Sequence, residues 1–282
     1  MMQLKTLAAA AALVLAAPAF AAIAPGSSGN GELFLVVQDT AAKVSFTFDT
    51  GITMDDFIAN AASAKPRSWT FDLAANSVWA DFKANYDEGN SVWALLALDS
   101  LGSSGVGGQR LITTLNANQT IANIKNTTNQ QLSTGIGTTQ AGTFFNSVNN
   151  SGTHAPQSDF TINGASINAD ADSGNGYFGS SGGLTATLNG NAKFNSTNLY
   201  GSASGLFYVT RSGASALGTV QASQYLKPNG QGAFASFGLD ESGLRSAAGA
   251  DLLVVSVPEP GTYALMLGGL LAVGAAARRR RG

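Results

Sequence analysis

Several short stretches of this sequence place residues in patterns that chemistry uses. Gly174-Asn-Gly176-Tyr-Phe-Gly179 has the letters of a dinucleotide cradle, in which glycines let a turn approach a pyrophosphate at a helix N-terminus. That chemistry needs a strand before the turn, a helix after it and an acid about 20 residues on. The flanks here are an Asp-rich loop and Ser-Ser-Gly-Gly, so the stretch reads as a turn. Gly179-Ser-Ser181-Gly-Gly183 has the form of a nucleophile elbow, but there the histidine follows the serine. The only histidine, His154, precedes Ser181. His154 lies in Ser-Gly-Thr-His-Ala-Pro, a loop context in which a solvated histidine is the plain reading and no base partner can be assigned.

Asn168-Ala-Asp170-Ala-Asp172 spaces three oxygen-bearing side chains as a calcium loop begins. Continuing that template demands glycine at Ser173 and a bidentate glutamate at Gly179, and both are missing, so a polar turn is expected. Adjacent acids stand at Asp55-Asp56, Asp87-Glu88 and Asp240-Glu241, and the first pair is explained by helix capping. Sequons at Asn118, Asn126, Asn149 and Asn195 matter only on a eukaryotic secretory path. The chain has no cysteine, which excludes disulfides, thiolate zinc sites and a cysteine nucleophile. No catalytic set, metal site or cofactor site assembles from these residues. The expectation is a non-enzymatic protein.

The elements that must carry these residues are short. Only 11% of the 282 residues are charged, while glycine is abundant, with 34 copies. Such material suits strands and turns better than long helices. Residues 32–37 and 43–48 read as a hairpin, the second arm alternating Val44, Phe46 and Phe48 against Ser45 and Thr47. Thr53-Met-Asp55-Asp56 reads as a capped helix start running to about Ala62. Trp69, Phe71 and Leu73 alternate as a strand, 78–84 suggests another, and the apolar run 91–99 belongs in the middle of a core. Weak helical spacing marks 116–131 and 139–150, and short strands are expected at 159–162, 183–188 and 199–200. A closing set of strands is expected at 205–211, 219–226, 232–239 and 251–257. With no internal repeat, the predicted fold is mainly β, a β-sandwich or jelly-roll-like exported domain with one to three helices, plus a single C-terminal transmembrane helix.

Both termini are addresses. Lys5, the apolar run Leu7 to Ala17 and the small-x-small triplet Ala19-Phe20-Ala21 form a secretory signal peptide, with cleavage expected after Ala21 by signal peptidase. Residues 22–31 follow as a flexible lead-in and 32–256 as the exported domain. At the far end, Pro258 and Pro260 hold Glu259 in an extended, accessible segment. An uncharged run follows from Tyr263 to Ala277, carrying Leu265, Leu267, Leu270, Leu271 and Val273. As a helix it reaches roughly 22 Å against a hydrocarbon core of about 30 Å, a marginal span that Gly261, Thr262 and snorkelling arginine stems extend. Arg278, Arg279, Arg280 and Arg281 supply the stop-transfer and positive-inside signal, so the C-terminus is expected in the cytoplasm and the domain outside. A plain tail anchor behind a helix-breaking segment fits the same residues.

Pro258-Glu259-Pro260, the apolar helix that opens Thr262-Tyr263-Ala264-Leu265-Met266-Leu267 and the terminal arginine cluster resemble the PEP-CTERM sorting signal. The resemblance covers about the last 26 residues (257–282). It implies recognition and cutting near the Pro-Glu-Pro by an exosortase, a membrane enzyme thought to be a cysteine-dependent transpeptidase. It also implies a Gram-negative host that often makes exopolysaccharide, transient residence in the inner membrane and delivery to the cell surface or matrix. Lys5 and the four terminal arginines account for five of the 15 Lys and Arg, and Glu259 for one of the 17 acids, leaving the exported part near minus six. That balance favours solubility and argues against nucleic acid as a partner. The alternative reading is an exported glycan-binding or carbohydrate-active β-sandwich, in which Trp69, Trp79 and Trp93 would supply stacking surfaces.

Overall fold

The computed structural model describes residues 22–63, 68–87, 90–101, 108–154, 163–172, 176–180, 184, 193–225, 234–239 and 251–256. Its elements in chain order are β1 Glu32–Asp39, β2 Val44–Thr53, α1 Met54–Ala61, β3 Trp69–Asp72, α2 Ser77–Asn85, β4 Ser91–Asp99 and β5 Arg110–Thr114. Then come α3 Ile121–Lys125, α4 Asn129–Gly135, α5 Thr138–Asn149, β6 Ala165–Ala169, β7 Asn198–Leu199, β8 Ser202–Thr210, β9 Gln221–Gln224, β10 Phe234–Phe237 and β11 Leu252–Ser256.

The expected sandwich is corrected by the strand pairing. All ladders belong to one antiparallel sheet in the order β3-β11-β10-β8-β5-β4-β1-β2-β6, with β7 paired to β4 and β9 to β8. Seven inter-strand steps separate β3 from β2, a distance of about 33 Å if the sheet were flat. Yet Phe71 of β3 meets Phe48 of β2 with ring centroids 5.7 Å apart. The sheet therefore curls until its ends face each other, a half-barrel rather than two stacked sheets. Strand twist and the register shift between Glu32 and Phe34 supply the bend.

The inside of the curl is filled by α1 and α2. Trp79 of α2 touches Phe46 on one wall at 5.0 Å and Phe237 on the other at 5.3 Å, and stacks on Phe82 at 5.5 Å. Residues 78–84, expected as a strand, are thus part of a helix. The reason is local: the Asn76 side chain accepts the Trp79 N–H at 3.0 Å as an N-cap, and a three-residue spacing sets Trp79 and Phe82 on one face. The outside of the sheet is covered by α3, α4 and α5, which bring Ile124, Leu132, Phe144, Phe145 and Val148 onto Phe34, Leu96 and Val209. Both faces are therefore buried, and β1 and β4 are buried at nearly every position, with the continuous apolar runs Leu33 to Val37 and Val92 to Leu98, for that reason.

Among the described residues there are five helices, more than the one to three expected. The single helix expected over 116–131 is divided into α3 and α4 because two threonines each begin a turn of their own. The Asn123 side chain accepts the Thr120 N–H at 2.8 Å, and Thr128 and Gln131 exchange a reciprocal pair at 3.2 and 2.8 Å. The hairpin, the Thr53-capped helix, the central strand 91–99 and α5 stand where the patterns put them. β5 and β6 were not anticipated. The strands expected at 159–162 and, Leu184 aside, 183–188 lie outside the described residues, as does the C-terminal span. None of the described helices is long and apolar enough to cross a membrane.

Residues 22–31 are docked rather than a loose lead-in. Ile23 is fully buried, and the Asn149 side chain accepts its N–H at 2.9 Å and donates to its carbonyl at 3.0 Å. Gly31 lies so close to the Leu98 carbonyl that a Cβ would stand 2.0 Å from the oxygen, so only glycine permits the approach. Ile23 could not be left in water beside an open patch of Phe34 and Phe145 without forfeiting its share of that core.

Because Trp79 is the side chain both walls share, Trp79→Ala is expected to cost about 3–5 kcal/mol. Trp79→Phe, which keeps a ring and removes an indole N–H with no partner among the described residues, is expected to cost less. Denaturant titration of the two variants against the parent checks the order.

Candidate functional site

β11 is the last element before the C-terminal motif, and it is an interior strand. It pairs with β10 through Phe234↔Ser256 to Phe237↔Leu253 and with β3 through Leu252↔Asp72 to Val255↔Trp69. Leu253 and Val255 point into the curl and are fully buried. Asp251 fixes the start of the strand: its carbonyl accepts the Leu73 N–H at 2.8 Å, and its carboxylate accepts from Lys83 Nζ at 2.9 and 3.2 Å. At the other end the Ser68 hydroxyl donates to that of Ser256 at 3.4 Å. One residue, Val257, then separates the ladder from Pro258. Proline has no N–H to give a ladder, so the sequence ends sheet pairing where the Pro-Glu-Pro begins.

The other residue sets singled out by sequence are dispersed or structural. His154 is fully buried after α5, not solvated, and its backbone N–H donates to the Ser151 carbonyl at 3.3 Å. Asp170 pairs with Lys43 at 3.5 Å, and Asp172 accepts the Ala169 N–H at 2.8 Å, so neither carboxylate follows a calcium-loop course. Among the described residues no group of three His, Asp or Glu side chains is placed to hold a metal. Trp79 and Trp93 are core residues and Trp69 is half-buried against Phe57, which leaves no exposed row of tryptophans. Asp56 belongs to the α1 cap, its N–H donating to Thr53 Oγ1 at 3.1 Å, and Asp55 accepts from Arg110 at 2.8 Å. Asn149 of the third sequon is buried against Ile23. Gly174, Ser181, Glu88 and the pair Asp240-Glu241 lie outside the described residues. So do Ala19, Ala21, Pro258, Glu259, Pro260 and the tail from Tyr263 to Arg281.

Two polar constellations escaped the sequence reading. Arg110 donates to Asp99 and Asp55, both at 2.8 Å, and to the Gly29 carbonyl at 3.0 Å, tying β4, α1 and the N-terminal turn together. Glu32 and Asp49 form a buried acid pair beneath residues 22–24. Glu32 accepts the Ala24 N–H at 2.7 Å, and Asp49 accepts the Gly51 N–H at 2.9 Å with its other oxygen unpartnered among the described residues. Burial, then the neighbouring Glu32 charge, pushes the Asp49 carboxyl well above the usual range; burial raises Glu32 as well. Alternation in β2 sets Asp49 in phase with the polar Ser45 and Thr47, which hides its burial, and nothing in one sequence says that the two acids meet.

A carboxyl with a raised folded pKa holds its proton in the folded state while the unfolded chain has released it. Its contribution favours folding at acid pH and is lost as pH rises above about 4, the unfolded value, toward the folded one. Thermal unfolding from acid to neutral pH is expected to show stability falling over that interval, with a flatter profile in Asp49→Asn. The interior position of β11 gives a second test. A chain from Ala22 ending at Ser256 is expected to keep the cooperative unfolding of the parent. One ending at Asp251, with β3 and β10 unpaired, is expected to lose it, by circular dichroism and calorimetry.

Neither a curated protein nor a solved structure matches the chain. One family model does: the PEP-CTERM protein-sorting motif, over residues 256–281. The match begins on the last residue of β11 and takes in the prolines, the apolar run and the arginines. The polypeptide that leaves the sheet at Ser256, one strand in from β3, is therefore a PEP-CTERM protein-sorting motif.

Proposed function

We propose that this protein is an exported, non-enzymatic surface or matrix protein whose tail is a transient inner-membrane anchor cut by an exosortase. The observation that carries the reading is the sorting motif beginning where a locked interior strand ends. Signal peptidase removes residues 1–21. The apolar run from Tyr263 through Val273 to Ala277 then halts in the bilayer, and Arg278–Arg281 stay on the cytoplasmic side. In this arrangement the domain stands outside with Pro258, Glu259 and Pro260 between it and the membrane.

The division of labour follows from the local chemistry. A processing enzyme needs extended chain, and two prolines flanking Glu259 keep this segment from joining either a helix or the neighbouring ladder. Glu259 is the one acid of the tail and marks the segment by charge. The residues of the motif are recognised and perform no catalysis. The exported domain is the cargo, and surface exopolysaccharide is its expected surroundings.

The test is the covalent state of the protein recovered from surface and medium of its native host. Intact mass and terminal peptide mapping are expected to show loss of residues 1–21 and of the segment after the Pro-Glu-Pro. Replacing Pro258, Glu259 and Pro260 together by alanine is expected to leave the tail uncut and the protein in the membrane fraction. Unchanged processing in that variant would falsify the sorting assignment.

A further inference from the structure

The strands that flank β11 also decide which end of the domain faces the bilayer. Val255 is opposite Trp69 on one side, and Ser256 is opposite Phe234 on the other. Phe234 in turn is opposite Gly205 of β8, and the Tyr225 N–H donates to the neighbouring Leu206 carbonyl at 3.0 Å. The register thus gathers Trp69, Tyr225 and Ser256 at one end of the curl. Phe57 of α1 joins them, 6.3 Å from the Trp69 ring and 5.0 Å from that of Tyr225. Trp69 and Tyr225 are only half-buried.

The tail departs from this end, at Ser256, and Ser68, Trp69, Gly205, Leu206 and Tyr225 beside it carry no charge of their own, while Asp55 and Asp56 of α1 stand next to Phe57 and Arg110 lies farther along the same end of the sheet. Trp and Tyr are the side chains that favour the headgroup level, with an apolar body and a polar edge. Distance completes the argument. Residues 257–262 are all that lies between Ser256 and the apolar run, and six extended residues reach about 20 Å at most.

We propose that the end of the half-barrel bearing Trp69 and Tyr225 is a membrane-contacting rim that rests on the phospholipid surface while the tail is inserted. The proposal rests on the tail being a membrane anchor. The tether keeps the rim at high effective concentration over the bilayer, so weak aromatic contacts suffice to orient the domain. Cutting the tail releases both the anchor and the rim.

Trp69, Trp79 and Trp93 are the three tryptophans of the chain, and two of them are sealed in the core, so quenching from the lipid reports on Trp69. The chain with its tail intact is reconstituted into vesicles of phosphatidylethanolamine with a minority of phosphatidylglycerol, with and without bromine on the acyl chains. The expected result is quenched tryptophan emission in the brominated vesicles and loss of that difference in Trp69→Phe, which retains a ring against Phe57. Equal emission in the two vesicle types, with the protein resisting alkaline carbonate extraction, overturns the rim and leaves the anchor standing. Quenching that persists in Trp69→Phe also overturns it, because the lipid would then be reaching another tryptophan. Extraction by carbonate overturns the anchor and the rim with it.

Discussion

The constraint on which this structure depends is the volume enclosed when a long antiparallel sheet bends back on itself. Phe48 and Phe71 come from strands seven places apart and still touch. A curl that tight leaves an interior too wide for strand side chains alone. Trp79 and Phe82 on α2 and Met54 and Phe57 on α1 occupy it, so two short helices do the work of an opposing sheet. Close packing makes the arrangement specific: the indole has one wall at 5.0 Å and the other at 5.3 Å, with no slack to exchange it for a smaller group.

Because the opposite face of the sheet is also covered, polar side chains on that face are held inside. Ser45 accepts the Phe178 N–H at 3.1 Å, Thr113 donates to Ser196 at 2.8 Å, and Gln38 donates to Tyr177 at 2.7 Å. These bonds join strands to the loops laid over them and give the outer layer a defined seat. Glu32 and Asp49 belong to the same layer, where burial raises both carboxyls and Glu32 accepts the Ala24 N–H of the docked N-terminal segment.

Local patterns disclosed much of this. The Thr53 cap, the alternation of β2 and the unbroken apolar run of β4 each contain their own physics, and each element stands where its residues put it. The α2 segment misled because Val78, Ala80 and Phe82 alternate like a strand, while the capping Asn76 that makes it a helix is one residue outside the window. β5 and β6 are short and depend on partners far along the chain, Thr113 on Phe207 and Phe46 on Ile167, which no window contains. The half-barrel was illegible for the same reason, since closure is a property of strand order. The sorting segment was legible throughout, because its meaning lies in consecutive residues and their distance from the chain end. What the sequence could not reveal is that the motif is coupled to an interior strand.

That coupling has a bearing on when the domain can fold. The ladder that closes between Ser68 and Ser256 joins residues 188 positions apart, and β10 and β3 both wait for the same late strand. Contacts of such separation form slowly and cannot form before their second half has been made. The β3 end of the sheet is completed only once residues 252–256 exist, so the strand next to the sorting motif is also the last to pair. Until then β10 keeps an open edge and β3 is without the strand it pairs with. The order of synthesis thus makes the segment beside the motif the one that closes the fold.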